Sequence, residues 1–127
     1  MSAIGYFNLL AALLTFCIGL AHSLLGERYI LVRLFRLTEL PKLFGGTEFT
    51  IRTLRFAWHL TTISWWGAAA LFFFMAQEPL SSSMVSSVLA VVFLASAVFT
   101  LFVSHGRHLA WPVFLVIGLI ALYGSQV

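Results

Sequence analysis

The sequence has few charged residues and only one cysteine. Charged side chains make up 9% of its 127 residues, whereas hydrophobic residues make up 61% and the mean hydropathy is +1.04. Soluble domains carry charge on about a quarter of their residues, so this composition predicts a membrane protein. Cys17 has no second cysteine with which to form an intramolecular disulfide. The thiol content therefore does not reveal the redox compartment.

Most of the sequence consists of long apolar runs. The sequence predicts four membrane-spanning segments, at residues 3–25, 56–76, 84–104 and 109–124, with a connector at 26–55. Each run approaches the roughly 20 apolar residues that cross a bilayer core, and each must be helical because unpaired backbone groups are not tolerated in lipid. No basic residue precedes the first run, so we expect it to be retained rather than cleaved as a signal peptide. The expected fold class is all-α, an integral membrane four-helix up-down bundle forming a single domain over residues 1–127.

All seven basic residues fall on one side of the predicted spans. They are Arg28, Arg33, Arg36, Lys42, Arg52 and Arg55 in the connector and Arg107 in the turn between the last two spans. Cytoplasmic loops of inner-membrane proteins carry the excess of Lys and Arg. We therefore expect this side to be cytoplasmic in a bacterial inner membrane, with both termini on the outer, periplasmic side. Within the connector, Pro41 and Gly45–Gly46 are expected to interrupt any helix, and Thr47 to begin the next one.

The four histidines are predicted to lie at one depth near the cytoplasmic ends of the spans. His22 and His59 each lie roughly 6 Å inside the basic boundary at 1.5 Å per residue, His105 closes the third helix and His108 opens the fourth. Ionisable residues in membrane segments are costly and usually face a bundle interior or a cavity. One such histidine is equally well explained by a hydrogen bond to a carbonyl or a headgroup. Four at a single level favour a metal or cofactor site with all four as candidate ligands, either as two bis-histidine sites or as one site with the other histidines beside it.

Arginine residues accompany these histidines. Residues spaced three and four apart along the second helix form one stripe, made up of Arg52, Arg55, His59, Thr62 and Trp66. If the first helix continues beyond its span, His22 and Arg33 also share a face. An imidazole inside the membrane with an arginine just outside suits haem b, whose iron binds imidazole and whose propionates pair with arginine. Positive-inside snorkelling is the competing explanation of the arginines.

Other residues are expected to complete such a site. The predicted cofactor contacts are Arg33, Arg52, Arg55 and Arg107, with Trp58 and Trp111 as pocket walls. Tryptophans at this depth are also typical of an interfacial belt. Glu27 is expected either to orient a histidine through its second ring nitrogen or to pair with Arg28 or Lys42.

In architecture the chain resembles small four-helix membrane b-type cytochromes, in which histidines from different helices ligate haem. The resemblance covers the four predicted spans and the intramembrane histidines. It implies histidine-ligated haem b at the cytoplasmic side, acting in electron transfer along that leaflet or in haem storage and hand-off to a soluble partner. The diheme relatives of this architecture hold haem near both faces, whereas these histidines all lie on one, so electron transfer across the membrane is not expected.

The pairing of the four ligands stays open. Helices opposite each other in a closed bundle suggest His22 with His105 and His59 with His108, but pairing between adjacent helices is an alternative. Four short helices leave little room for a porphyrin, so a homodimer that shares the haem is also expected.

Two other functions are open from the sequence. One is a non-haem metal-dependent membrane oxidoreductase with a single iron or copper ion, since the chain resembles membrane hydroxylases and desaturases in its histidines at cytoplasmic helix ends. Those families use larger histidine clusters than this chain has. The other is a non-catalytic membrane subunit whose basic connector docks anionic lipid or a cytoplasmic partner. Membrane lipid is an expected partner in every case and nucleic acid in none. The sequence does not decide whether the protein is an enzyme.

Overall fold

The computed structural model describes residues 2–127, and this part of the chain is all-helical. It contains α1 (Ala3–Leu25), α2 (Glu48–Gln77), α3 (Ser82–Ser104) and α4 (Ala110–Gly124). The first helix continues without a break through a π-helical segment, Gly26–Leu31, and a short helical end, Val32–Leu34. The predicted all-α class is confirmed, and α2 begins at Glu48, well inside the predicted connector.

Three helical stretches are long and apolar enough to cross a membrane. They are Ala3–Leu34, Glu48–Gln77 and Ser82–Ser104. The fourth helix has 15 residues, so it extends about 22 Å, less than the roughly 30 Å of a bilayer core. Large apolar side chains lie on the outer surface, for example Phe7 and Ile120, as expected for a protein whose solvent there is lipid.

Short polar residues fix where two of the helices begin. The hydroxyl groups of Ser2 and Ser81 accept hydrogen bonds of 3.1 Å from the backbone N–H groups of Gly5 and Met84. These bonds satisfy donors that the first helical turn leaves unpaired. The second helix follows Thr47 as predicted, but the Thr47 side chain makes no capping hydrogen bond.

The helices pack as a row in sequence order. The second helix lies against both α1 and α3, and α4 lies against α3. Over residues 2–127, α1 does not pack on α3 or on α4. Glycine permits close approach within this row, since Gly67 lies against Val92 and Gly118 lies against Leu94. The row creates separate helix interfaces, so residues on α1 and on α4 do not share one.

A substitution at Gly118 tests the close approach of α3 and α4. A methyl group there would lie 2.7 Å from Leu94 Cγ and 3.0 Å from the Leu94 backbone nitrogen, which cannot rotate away. We expect Gly118→Ala to lower the free energy of unfolding in mixed micelles by about 1–3 kcal/mol, the usual cost of overpacking. Gly124→Ala is the matched control, because nothing lies within 4 Å of its added methyl. Equal stability of the two variants would contradict this packing.

Candidate functional site

The stripe predicted on the second helix faces the first helix. Four of its members, Arg55, His59, Thr62 and Trp66, contact α1 or its π-helical continuation. The fifth, Arg52, pairs instead with Glu48 one turn earlier on the same helix. We call the interface formed by these contacts the α1–α2 seam.

Side chains of α2 donate hydrogen bonds to backbone carbonyls of α1 along this seam. The Trp58 indole N–H donates to the His22 carbonyl oxygen over 3.1 Å. One turn deeper, the Thr62 hydroxyl donates to Gly19 over 3.2 Å. A further turn deeper, the Trp66 indole donates to Phe16 over 3.2 Å. Because a carbonyl oxygen has two lone pairs, each acceptor can keep its bond within α1 as well.

Two glycines of the first helix make room for the indole rings. A Cβ atom at Gly19 would lie 2.8 Å from Trp66 Nε1, and one at Gly26 would overlap the Trp58 ring. Any larger residue at either position would therefore push a tryptophan away from its carbonyl acceptor. The apolar pattern of the sequence does not predict this role of the two glycines.

A cluster of polar side chains occupies the end of the seam that carries the arginines. His59 Nε2 lies 3.2 Å from Glu27 Oε2, and His59 Nδ1 lies 2.8 Å from Ser23 Oγ. Arg55 forms an ion pair with Glu27, with 3.0 Å between Nη2 and Oε1. The Ser23 hydroxyl lies 2.7 Å from that of Thr62. We call these five residues the polar cluster, and it links α2 to α1 and to the π-helical segment.

The hydrogen bonds of the polar cluster form one continuous series between the helices. Four contacts run in series from the Glu27 carboxylate through His59 and the two hydroxyl groups to the Gly19 carbonyl. The hydroxyls of Ser23 and Thr62 supply one proton each, and the donor and acceptor roles of the two His59 ring nitrogens depend on the tautomer. The series therefore joins the π-helical segment to α1 through two residues of α2.

His22 lies on the same seam in a different environment. Its ring stacks parallel to the Trp58 indole, with 4.4 Å between the ring centroids, and its Nε2 lies 3.3 Å from the Trp58 carbonyl oxygen. The two residues thus make reciprocal contacts between the helices. Stacking on the indole fixes the ring plane of His22 against α2.

The other two histidines lie outside the seam. His105 follows the last residue of α3, as predicted, but it adopts the left-handed conformation at φ 51° and is exposed. His108 is half-buried, stacked on Phe49 and edge-on to Phe56, and its Nδ1 accepts the Ala110 N–H over 3.1 Å. That bond places the proton of a neutral His108 ring on Nε2.

The remaining predicted contacts are dispersed. Trp111 donates its indole N–H to the Gly106 carbonyl over 3.3 Å, within the turn that joins α3 and α4. Arg107 is exposed and lines a cavity beside the connector. Arg33 is exposed at the end of the continued first helix. The shared face predicted for His22 and Arg33 assumes a regular α-helix, which the wider π-helical turns between them interrupt.

The four histidines therefore do not surround one space in this structure. Among residues 2–127, no three histidine, cysteine or acidic side chains come together as a metal site. Equal depth did not bring the rings together, because the helices form a row and His105 turns outward at the end of α3. Axial ligation of haem needs only one or two of these rings, so haem binding stays a prediction.

Of the two residues that contact the His59 ring, Glu27 was predicted from the sequence and Ser23 was not. Glu27 contacts a histidine as expected, and its cationic partner is Arg55 rather than Arg28 or Lys42. Ser23 was not assigned a role, although it joins two members of the predicted stripe. The available signal was a hydroxyl next to a histidine inside an apolar run, since such groups in lipid must find partners.

Comparisons with known proteins add no relative. No protein-family model, curated protein or solved structure matches this chain. The likeness to b-type cytochromes stays an architectural resemblance, and the geometry described above is the basis for the function.

Loss of the Ser23 hydroxyl tests the polar cluster. Ser23→Ala leaves His59 Nδ1 without its hydrogen-bond partner, so we expect a loss of about 1–3 kcal/mol in the free energy of unfolding in mixed micelles. Ser64→Ala is the matched control, because that hydroxyl bonds only the Leu60 carbonyl of its own helix and is exposed. A Ser23→Ala protein as stable as the control would show that the Ser23–His59 contact does not stabilise the pair of helices.

Proposed function

We propose that this protein is a non-catalytic integral membrane subunit whose basic end binds anionic phospholipid headgroups of the cytoplasmic leaflet of a bacterial inner membrane. In this proposal the helices cross the membrane in alternating directions and both termini lie on the outer side. The observation that carries it is that most basic side chains at that end are exposed and, in the described part of the chain, not paired with a carboxylate. Five of the seven are exposed and have no carboxylate partner within residues 2–127, namely Arg28, Arg33, Arg36, Lys42 and Arg107.

The paired and unpaired cations differ in position. The two paired ones, Arg52 and Arg55, lie on the second helix and use Glu48 and Glu27. Four of the unpaired ones lie before α2, between residues 28 and 42, and Arg107 lies between α3 and α4. A basic residue near an anionic leaflet contributes about 1 kcal/mol to membrane binding. The five unpaired cations therefore supply the electrostatic attraction that lipid binding needs.

Exposed apolar side chains between these cations favour lipid over a soluble protein as the partner. Tyr29, Leu37 and Leu43 are all exposed, at 49%, 59% and 48%. Alternation of basic and apolar residues is typical of segments that lie in the headgroup region, with the apolar groups buried among acyl chains. A surface used only by a soluble acidic protein would leave these groups in water.

The polar cluster has a structural part in this proposal. Glu27 holds Arg55 and His59 from the π-helical segment, directly before Arg28. These bonds fix the start of the connector against α2. The basic residues that follow, beginning with Arg28, therefore extend from a segment that is held against α2.

Haem b binding is the second candidate, favoured by one observation. The His22 and His59 rings belong to neighbouring helices within a single seam, and Arg55 lies one turn nearer the basic end. The fit is partial, because both nitrogens of His59 and Nε2 of His22 already make hydrogen bonds, so ligation through any of these three nitrogens must replace one. When bound, the group would supply redox or carrier chemistry, including the electron transfer or haem hand-off expected from the sequence. A bare iron or copper ion has less support, since residues 2–127 hold no group of three ligands.

Neutralising unpaired arginines tests lipid binding. Thermal stabilisation of the detergent-solubilised protein during titration with phosphatidylglycerol gives an apparent dissociation constant, because a ligand that binds the folded state stabilises it. We expect Arg33→Gln and Arg36→Gln each to raise that constant about fivefold, from about 1 kcal/mol per charge. Phosphatidylcholine should stabilise the wild type far less.

Arg52→Gln serves as the matched control for this experiment. It removes the same charge from a residue that is already paired with Glu48, so it separates local contact from net charge. An equal loss in all three variants would show that the two unpaired arginines have no special part, since Arg52→Gln acts only through net charge or through the Glu48 that it leaves unpaired. A wild type that does not distinguish the two lipids would overturn the proposal and leave a soluble acidic partner as the alternative.

An absorption spectrum tests the second candidate. If the seam binds haem, protein extracted from membranes without added haem shows a Soret band that shifts on reduction with dithionite. His22→Ala and His59→Ala are then expected to lose most of this band, since axial imidazoles hold the iron. His105→Ala is the control, because that ring is exposed outside the seam. A colourless wild type, or a full band in both seam variants, would exclude the assignment.

A further inference from the structure

The connector contains a tight turn with an unusual residue at its tip. Leu43 and Gly46 exchange two backbone hydrogen bonds, of 2.9 and 3.3 Å, around Phe44 and Gly45. Both central residues have positive φ, 54° for Phe44 and 88° for Gly45. Positive φ at both central positions defines a type I′ turn, which favours Asn-Gly, Asp-Gly or Gly-Gly. We call residues 43–46 the Phe44 turn.

Phenylalanine is unfavourable at this position for two reasons. The left-handed conformation costs an L-residue with a large side chain roughly 1–2 kcal/mol. The Phe44 side chain is also 91% exposed, and its aromatic contact is one edge-on approach to Phe49. Burial within residues 2–127 therefore offsets neither the backbone strain nor the exposed apolar area. A strained and exposed residue of this kind indicates a role outside the folded chain itself.

The Phe44 turn lies beside the ends of the membrane helices. Phe49, which it contacts, stacks on His108 just before α4 begins. A cavity of about 520 Å³ separates the turn from Arg107, in the loop between α3 and α4. This places Phe44 near the helix ends, at the level where headgroups would meet acyl chains.

The cavity next to Phe44 has the charge that an anionic headgroup needs. Arg107 lines it without a carboxylate partner in the described part of the chain, and the exposed Lys42 directly precedes the turn. Glu48 also lines the cavity, but its carboxylate is paired with Arg52. The net charge next to the exposed Phe44 ring is therefore positive.

We propose that the Phe44 turn and Arg107 form a binding site for one anionic phospholipid, with Phe44 inserted among the acyl chains and the phosphate held against Arg107 across the cavity. This inference rests on the proposed lipid-binding function and assigns that function a specific site. It explains why an apolar ring stands where Asn or Gly would be less strained. A phosphate without acyl chains would contact Arg107 but not Phe44.

Phe44→Asn tests the site, because Asn-Gly is the preferred type I′ dipeptide. In detergent without phosphatidylglycerol we expect the variant to be at least as stable as the wild type. In the phosphatidylglycerol titration we expect its apparent dissociation constant to rise about tenfold, the effect of losing much of a buried aromatic side chain. Phe44→Gly should behave in the same way, since it also relieves the backbone strain and removes the ring.

The remaining arms separate this inference from the proposed function. Glycerol 1-phosphate, which carries the phosphate but no acyl chains, is expected neither to stabilise the protein nor to compete with the lipid. Unchanged lipid affinity in both Phe44 variants, with Arg33→Gln still weakened, would overturn the site and leave the proposed function in place. Loss of stability in detergent would instead assign Phe44 a role in the fold. A wild type without preference for phosphatidylglycerol would overturn both.

Discussion

Hydrogen bonds from α2 side chains to α1 carbonyls are the interaction on which the rest of the seam depends. In lipid, an indole or hydroxyl donor has no water to bond, so Trp58, Thr62 and Trp66 must find acceptors in the protein. They find them one turn apart on the first helix. A shift of either helix by one turn would bring the donors to other carbonyls, but it would move the indole rings away from the space that Gly19 and Gly26 leave for them. The register of the two helices is therefore fixed by a set of contacts rather than by a single one.

The polar cluster follows from that register. Once Trp58 reaches the carbonyl of His22, the next residues on each helix, His59 and Ser23, are opposite each other. Glu27 then lies within reach of His59 and Arg55 from the π-helical segment. The wider π-helical turn rotates the residues that follow it, such as Arg33, relative to a regular α-helix. Half-buried charges at this depth are tolerated because they neutralise one another.

The sequence predicted where residues lie along the helices better than it predicted which helices pack against each other. Apolar runs and the position of the arginines gave the helical class and the stripe on α2, because hydropathy and helical period depend only on local sequence. The seam between this stripe and α1 was not predictable in detail, since donors such as Trp66 reach carbonyls that every residue has. Depth alone placed His105 with His22, but it carries no information about direction around a helix. The left-handed cap at His105 and the packing in a row decide that direction.

The two candidate ligands differ in what they require of the histidines. Haem and phospholipid are both anionic amphiphiles, so unpaired arginines beside apolar surface suit either. Haem also needs an imidazole nitrogen with a free lone pair, whereas a phospholipid needs none. In the seam, His59 bonds through both ring nitrogens and His22 Nε2 lies against a carbonyl, while five cations are unpaired in the part of the chain that the structure describes. The groups that phospholipid uses are available, whereas both nitrogens of His59 and Nε2 of His22 already make hydrogen bonds, which is why lipid binding has the stronger support.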